Sequence, residues 1–321
     1  MRTLITGPGG FVGTGLIQHL LADPAQHVVA AFRASPPRPL ERAQVIQVSE
    51  LGADTDWGEA LARVDTVVHL ASRVHVMNDT AVDPLAEFRR VNVAGSLHLA
   101  RQAAAAGVRR FVYVSSIKVN GEATSTGRAF RSDDPPQPID PYGISKHEAE
   151  LALSRIATST GMELVVVRPP LVYGPGVRAN FRSMMNWLKR GVPMPFGAID
   201  NRRSLLALEN LCDLLATCLR HPAAAGQTFL ASDGEDVSTT QLLWRLGRAL
   251  GQPARLVPVP PALLRMMFGV MGKQDVSNRL FNSLQVDITP TRHLLGWQPP
   301  IDLGEGLRRV ATAYLAETAR R

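Results

Sequence analysis

The sequence predicts an α/β fold: a doubly wound parallel sheet with a smaller, partly interleaved C-terminal domain. Three observations predict it. From Arg2 to Val167, apolar runs of strand length alternate with helical stretches. A glycine-rich turn joins the first strand to the first helix. After Arg168 the alternation gives way to shorter helices among frequent Pro, Gly and Arg.

Taken in order, Arg2–Thr6 reads as a buried strand and Phe11–Leu21 as the helix after the turn. Val28–Phe32, Val45–Val48 and Thr66–Leu70 are further strands, and Leu85–Ala106 is a long Ala-rich helix. Arg110–Ser115 is the next strand. Gly121–Pro141, with its Gly, Ser, Asp and Pro residues, is a loop. A helix over Tyr142–Thr160 and a strand over Leu164–Val167 follow. Such βαβ alternation requires a parallel sheet with helices on both faces. In the second half, Glu209–Leu219 has a helical pattern. Asp236-Val237-Ser238 offers an N-cap for a helix to about Leu250, and a last helix follows Asp302.

The chain has 321 residues, ample for a buried core without disulfides or metal staples. Its net charge of +7 is uneven. Residues 1–150 carry 15 basic and 16 acidic side chains, and residues 151–321 carry 20 and 12. A basic half can serve nucleic acid, a membrane surface or a small anion. Only four of the 35 basic residues are Lys, so the Arg excess is also a matter of composition, Arg320 and Arg321 included. No run of bases interleaved with aromatics points to nucleic acid. No run of 18 apolar residues spans a membrane, and no signal peptide precedes Arg2. Cys212 and Cys218, six apart on a helix, are too far apart for a disulfide and read as reduced core thiols facing different sides. The expected location is the cytoplasm. No metal site is expected.

The turn Thr6-Gly7-Pro8-Gly9-Gly10-Phe11-Val12-Gly13 has the strand–turn–helix context of a dinucleotide phosphate site. Gly7, Gly10 and Gly13 allow close backbone approach, and the helix start at Phe11 and Val12 faces the anion. NAD-selective sites place Asp or Glu after the second strand to bind the ribose hydroxyl. Here that place holds Arg33, with no acid beside it. A guanidinium pairs with a 2′-phosphate. The expectation is therefore NADP(H), with NAD(H) as the alternative.

Tyr142 and Lys146 form Tyr-x-x-x-Lys at a helix start, which puts both on one face. An ammonium beside a phenol favours phenolate and brings a group of pKa near 10 toward working range. Ser115-Ser116 ends the preceding strand at the carboxyl edge, where ligands of parallel sheets bind.

Together these motifs resemble the extended short-chain dehydrogenase/reductases, in their nucleotide-sugar epimerase/dehydratase branch. Thr6–Gly13, His69-Leu70-Ala71, Asn92–Gly95, Ser115–Gly121, Tyr142–Lys146, Arg168-Pro169, Tyr173–Pro175 and Leu295–Trp297 carry the resemblance over essentially the whole chain. It implies a Rossmann-type dinucleotide-binding domain over 1–170. Residues 171–321 would mainly bind a nucleotide sugar, with segments returning to the first core. It further implies that Tyr142 is the acid/base, that Lys146 tunes it and holds the nicotinamide ribose, and that Ser116 binds the sugar oxygen. Glu50, Leu51, Leu70, Ala71 and Asn92 would flank the cofactor. Asn180 and Arg203, and more loosely Arg279, would meet the diphosphate, with Pro193–Gly197 beside uracil. Lys118 is a candidate for reaching sugar or phosphate. The family's Asn in Arg-Pro-x-Asn is Leu171 here. A homodimer through the helices at 85–106 and 142–160 is also implied.

Dehydratases of this branch follow the hydroxyl residue with Asp-Glu; here Ile117 and Lys118 stand there, so dehydration is not expected. Asn120, where many epimerases have Tyr, and the missing acid after strand two both favour an NADPH-consuming reductase. The Ser115–Glu122 segment resembles reductases of UDP-2-acetamido-2,6-dideoxy-4-hexulose that make UDP-N-acetylquinovosamine for O-antigen. A UDP-glucose or UDP-GlcNAc 4-epimerase is the alternative. Two further alternatives are a silent redox sensor and an enzyme of undecaprenyl-linked sugars with Leu263–Met271 as an interfacial helix. The retained Tyr142, Lys146 and Ser116 speak against the sensor.

Overall fold

Strand burial explains the large sheet. A computed structural model describes residues 1–36, 39–74, 83–125 and 127–319, so Arg320 and Arg321 lie outside the described residues. β1 (Arg2–Thr6), β2 (His27–Phe32), β3 (Ala43–Gln47), β4 (Thr66–His69), β5 (Arg110–Val114), β6 (Glu163–Arg168) and β9 (Thr228–Leu230) form one sheet in the order β3-β2-β1-β4-β5-β6-β9. All six pairings are parallel. Every residue of β4 and β5 is buried, as a sheet covered on both faces requires. Side chains alternate between the two layers. Ile5, Val28, Ala30, Val68, Val112 and Val165 enter one core, and Leu4, Val29, Ala31, Val67, Phe111 and Leu164 the other.

Helices cover the faces. α1 (Phe11–Leu21), α4 (Pro141–Thr160) and α6 (Leu208–Arg220) match the predicted helices to within two residues. The expected single helix over 85–106 is instead interrupted. α2 (Pro84–Phe88) and α3 (Ser96–Ala105) flank a π-helical stretch, Arg89–Gly95. Its wider turn accompanies an inward Asn92 side chain that binds other segments, as π-bulges near functional sites do.

A second, three-stranded sheet runs in the order β10-β8-β7. It comprises β7 (Leu171–Tyr173), β8 (Arg203–Ala207) and β10 (Asp236–Val237). It shares a third core with α5 (Ala179–Lys189), α7 (Thr239–Ala249) and α11 (Leu303–Ala319), built on Tyr173, Phe181, Met185, Leu246 and Val310. Ser238 caps α7 through a capping box with Gln241, as its sequence predicted. α8 (Pro261–Val270) and α9 (Gln274–Phe281) pack on each other, Phe268 edge-on to Phe281 at 6.0 Å. Cys212 and Cys218 are free thiols. Contrary to the expectation of opposite sides, both enter the same core, because α6 is covered by α1 on one flank and by strands on another. Burial pushes each thiol up to about 12, so neither is a nucleophile at neutral pH. Among the described residues, no helix is long and apolar enough to cross a membrane, and no cluster of three metal-ligating side chains occurs.

Candidate active site

The glycine turn is closed on itself. Gly7 has φ +67°, and a Cβ there would stand 2.9 Å from the Ala71 amide nitrogen. A Cβ on Gly13 would lie 2.2 Å from the Gly7 carbonyl oxygen. The Gly10 amide donates to that same oxygen at 3.1 Å. Gly10 is the N-cap of α1 and brings no capping side chain, so the first-turn amides remain available to an anion. Phe11 and Val12 are half-buried behind the turn. The arrangement fits a pyrophosphate held by backbone. Gly13→Ala is therefore expected to weaken dinucleotide binding by at least about tenfold. Titration of intrinsic fluorescence with NADPH and with NADH measures this, and unchanged affinities would show that the turn is not the anion site.

Two residues that the motifs include without assigning them a role, Thr6 and His69, fasten this turn. The Thr6 hydroxyl accepts the amides of Leu70 and Ala71 at 3.2 and 3.1 Å. It also shares a hydrogen bond with His69 Nδ1 at 2.6 Å, and His69 Nε2 pairs with Ser96 Oγ at 2.8 Å. Burial drives His69 down to about 3, with the Lys146 charge adding to the effect, so the ring is neutral. Leu51 is buried against Gly95, whereas Glu50 is exposed and pairs with Arg90 at 3.8 Å. Arg33 is exposed at the end of β2. The expected cofactor residue Asn92 is 1% exposed and uses its amide on protein groups. Its Oδ1 accepts the Arg73 amide at 2.7 Å, and its Nδ2 donates to the Arg73 carbonyl and to Ser145 Oγ, both at 3.0 Å. It ties the segment after β4 to α4.

α4 presents the Tyr/Lys pair. Asp140 is its N-cap, with Oδ1 accepting the Gly143 amide at 2.7 Å, and Pro141 occupies the first turn. The Ser116 and Ser72 hydroxyls lie near enough to the Tyr142 phenol to favour its ionised form. Ser116 follows β5, so the two predicted hydroxyls come near each other; Ser72 carried no sequence signal. The neighbouring Ser115 is 3% exposed with its hydroxyl unpartnered. Lys146 is buried, donates to the Val114 carbonyl at 2.8 Å, and sits 4.4 Å above the Tyr113 ring and 6.0 Å from that of Tyr142.

The expected tuning of Tyr142 by Lys146 is not what the electrostatics give. Burial pushes the Tyr142 phenol up to about 12; the Asp140 charge adds to this, and the nearby Ser72 and Ser116 hydroxyls oppose it. Burial likewise pushes the Lys146 amine down to about 7, against the pull of Glu150. Desolvation outweighs the pairwise attraction because both groups leave water together. Tyr142 is thus held as a proton donor at neutral pH.

Lys118 was expected to reach substrate; the structure engages it elsewhere. Its ammonium contacts Glu122 at 3.0 Å and Asp140. Burial lowers its pKa, but the two carboxylates raise it by more. Ile117 is buried, so neither position can supply the carboxylic acid of a dehydration.

On the second sheet, Arg203 opens β8 and donates to the Asn282 carbonyl at 3.0 Å. Burial and then the Arg279 charge lower its pKa, so the two expected arginines feel each other. Like charges brought together are relieved by an anion. Asn180 is exposed in the first turn of α5, and Leu171 is exposed on β7. In the Pro193–Gly197 loop, Met194 bridges Leu256.

Known proteins share this fold over nearly its whole length. Residues 3–231 match the NAD dependent epimerase/dehydratase family. A Vibrio cholerae protein, UDP-glucose 4-epimerase, is 44% identical over 318 residues, covering 99% of this chain and 96% of that protein. An Escherichia coli O157:H7 4-epimerase of N-acetyl-glucosaminyl-diphospho-undecaprenol is 26% identical, covering 96% of this chain and 93% of that one. The structure of Bacillus cereus UDP-glucuronic acid 4-epimerase in complex with NAD superposes with a TM-score of 0.79 at 21% identity, covering 98% of this chain and 99% of that chain. A match over most of the chain and a near-full-length relative converge on one conclusion: this protein belongs to the NAD dependent epimerase/dehydratase family.

Proposed function

We propose that the protein is a UDP-hexose 4-epimerase, acting on UDP-glucose or UDP-GlcNAc. The observation that carries this reading is the 44% identity, over nearly the whole of both chains, to a protein of that name. The sequence alone favoured the 4-keto reductase; this relative shifts the balance. The site supports chemistry at one sugar carbon. It offers one phenol with a flanking serine, and no carboxylate at the two positions where dehydration needs one.

In this reading Ser116 and Tyr142 bind the oxygen at C4, and Tyr142 takes its proton and returns it. A bound nicotinamide would supply hydride exchange at C4 and a positive charge favouring the phenolate, against the burial that holds the Tyr142 pKa up. Lys146 holds the nicotinamide ribose, and Arg203 with Arg279 holds the diphosphate. Arg suits that task because its planar fork matches phosphate oxygens. Two copies pair through the segments at 85–106 and 142–160, and sedimentation velocity tests that pairing. The site of action is the cytoplasm.

Two observations favour a second reading, reduction of a UDP-2-acetamido-2,6-dideoxy-4-hexulose by NADPH. The end of β2 presents Arg33 and no acid, which suits a 2′-phosphate. A phenol held in its acid form also suits protonation of a ketone. The deciding experiment has two arms. Purified protein is given UDP-glucose or UDP-GlcNAc without added cofactor, and separately the 4-keto-6-deoxy sugar nucleotide with NADPH or NADH. Epimer in the first arm is expected. NADPH oxidation in the second arm, with no epimer in the first, overturns the epimerase in favour of the reductase.

A further inference from the structure

The two hydroxyls of the site come from separate elements, and one side chain joins those elements. The Ser116 hydroxyl accepts the Lys118 amide at 3.2 Å, which fixes the turn after β5. The Lys118 ammonium, 22 residues from Asp140 in sequence, binds one oxygen of that carboxylate and the Glu122 carboxylate. The other Asp140 oxygen caps α4 at the Gly143 amide. The backbones approach closely here: a Cβ on Gly143 would stand 3.0 Å from the Lys118 carbonyl oxygen and 3.3 Å from its Cβ. Ser116, Lys118, Asp140 and Gly143 thus form one continuous chain of contacts, and Tyr142 lies inside it.

We propose that Lys118 is a positioning residue that fastens the capped start of α4 to the strand end carrying Ser116, so that the Ser116 and Tyr142 hydroxyls keep one spacing. The proposal rests on the reading of Tyr142 as the acid/base. It gives a role to a lysine that stands where dehydratases carry an acid. Near this place a carboxylate, Asp140, bears directly on the phenol and raises its pKa. The Lys118 ammonium offsets that charge at its source. The other groups facing Tyr142 are Lys146 on α4, Tyr113 on β5, Ser116, and Ser72 after β4. Phe88 of α2 packs edge-on at 6.1 Å, with the Arg73 guanidinium over its ring.

The test measures kcat, KM and the pH profile of kcat for Lys118→Ala, Lys118→Arg, Asp140→Asn and Tyr142→Phe, on whichever substrate the two-arm assay identifies. Lys118→Ala is expected to lower kcat about tenfold or more, with KM within about twofold, because misplaced reacting groups cost rate. The limb of its pH profile set by the phenol should move to higher pH by about half a pH unit or more, since Asp140 is left uncompensated. Asp140→Asn keeps a capping side chain and removes the charge, so that limb should move to lower pH. Lys118→Arg should restore most of the rate and the limb. If Lys118→Ala keeps the wild-type kcat and limb while Tyr142→Phe is inactive, the positioning role is overturned and the acid/base reading stands. If Tyr142→Phe keeps activity, the acid/base reading itself fails. If Lys118→Ala loses rate with an unmoved limb and Lys118→Arg gives no rescue, Lys118 is only structural and the proposal is likewise overturned. Dinucleotide binding to each variant confirms that it is folded.

Discussion

Replacing Tyr142 with Phe should lower kcat by about two to four orders of magnitude, the usual contribution of a positioned general acid–base. The substitution removes one oxygen and leaves the ring packed against Phe88. Lys146 keeps its bond to the Val114 carbonyl, so dinucleotide affinity should stay within about twofold of wild type. KM should change little if Ser116 binds the sugar oxygen as proposed. The sign of the pH dependence follows from the phenol. With its pKa pushed up to about 12, it is protonated across the neutral range; taking the C4 proton needs the phenolate, so an acidic limb appears, with kcat rising as pH climbs toward that value or toward one lowered by bound cofactor. The Phe variant should lose that limb. Retention of more than about a tenth of the wild-type kcat would remove Tyr142 from the mechanism.

Glu150→Ala should cost about 3–5 kcal/mol of unfolding free energy, the usual consequence of leaving a buried charge without its partner. Arg168 ends β6 and Glu150 lies on α4, and both are under one-tenth exposed. The guanidinium donates to both Glu150 oxygens, at 3.0 and 2.6 Å, and to Asn120 Oδ1 at 3.0 Å. Asn120 in turn holds the Arg131 carbonyl at 2.8 Å. Removing Glu150 strands the arginine in the interior. Urea unfolding measures the loss, and a change below about 1 kcal/mol would place the pair among those that contribute little. A second effect should accompany it. Glu150 pulls the Lys146 amine up against burial, so the variant's amine falls further below about 7 and is neutral over more of the physiological range. Activity should therefore begin to decline at lower pH in any reaction that needs the ammonium.

Six strands of the large sheet were legible as short apolar runs between turns; the three-residue β9 and the short strands of the small sheet were not, because runs so short carry no period. The helices were legible because their apolar periodicity and caps agree. Tyr142, Lys146 and Ser116 were legible for the same reason: helix spacing and a strand end fix where such side chains point. What the sequence did not carry was environment. The direction of the Tyr142 shift depends on how much water is excluded, and periodicity does not measure that. Lys118 looked free because its partner Asp140 lies across a proline-rich loop. Asp140 itself was findable, since Asp-Pro before a helix is a cap signal. Thr6, His69 and Ser72 matter only through contacts between segments, and Asn92 turns inward only because the helix widens around it.

The position of β9 has a consequence for how the chain can be made and cut. Three residues from beyond position 220 pair with β6 and complete the large sheet, after the strands of the small sheet β7 and β8 have already passed. A chain ended near residue 170 would therefore expose the β6 backbone as an open edge, beside Val165, Val166 and Val167. Open apolar edges invite pairing between molecules. On the ribosome the same edge stays unprotected until some sixty more residues have been added. The first half should therefore aggregate when expressed alone, and the long-range closure by β9 should come late in folding.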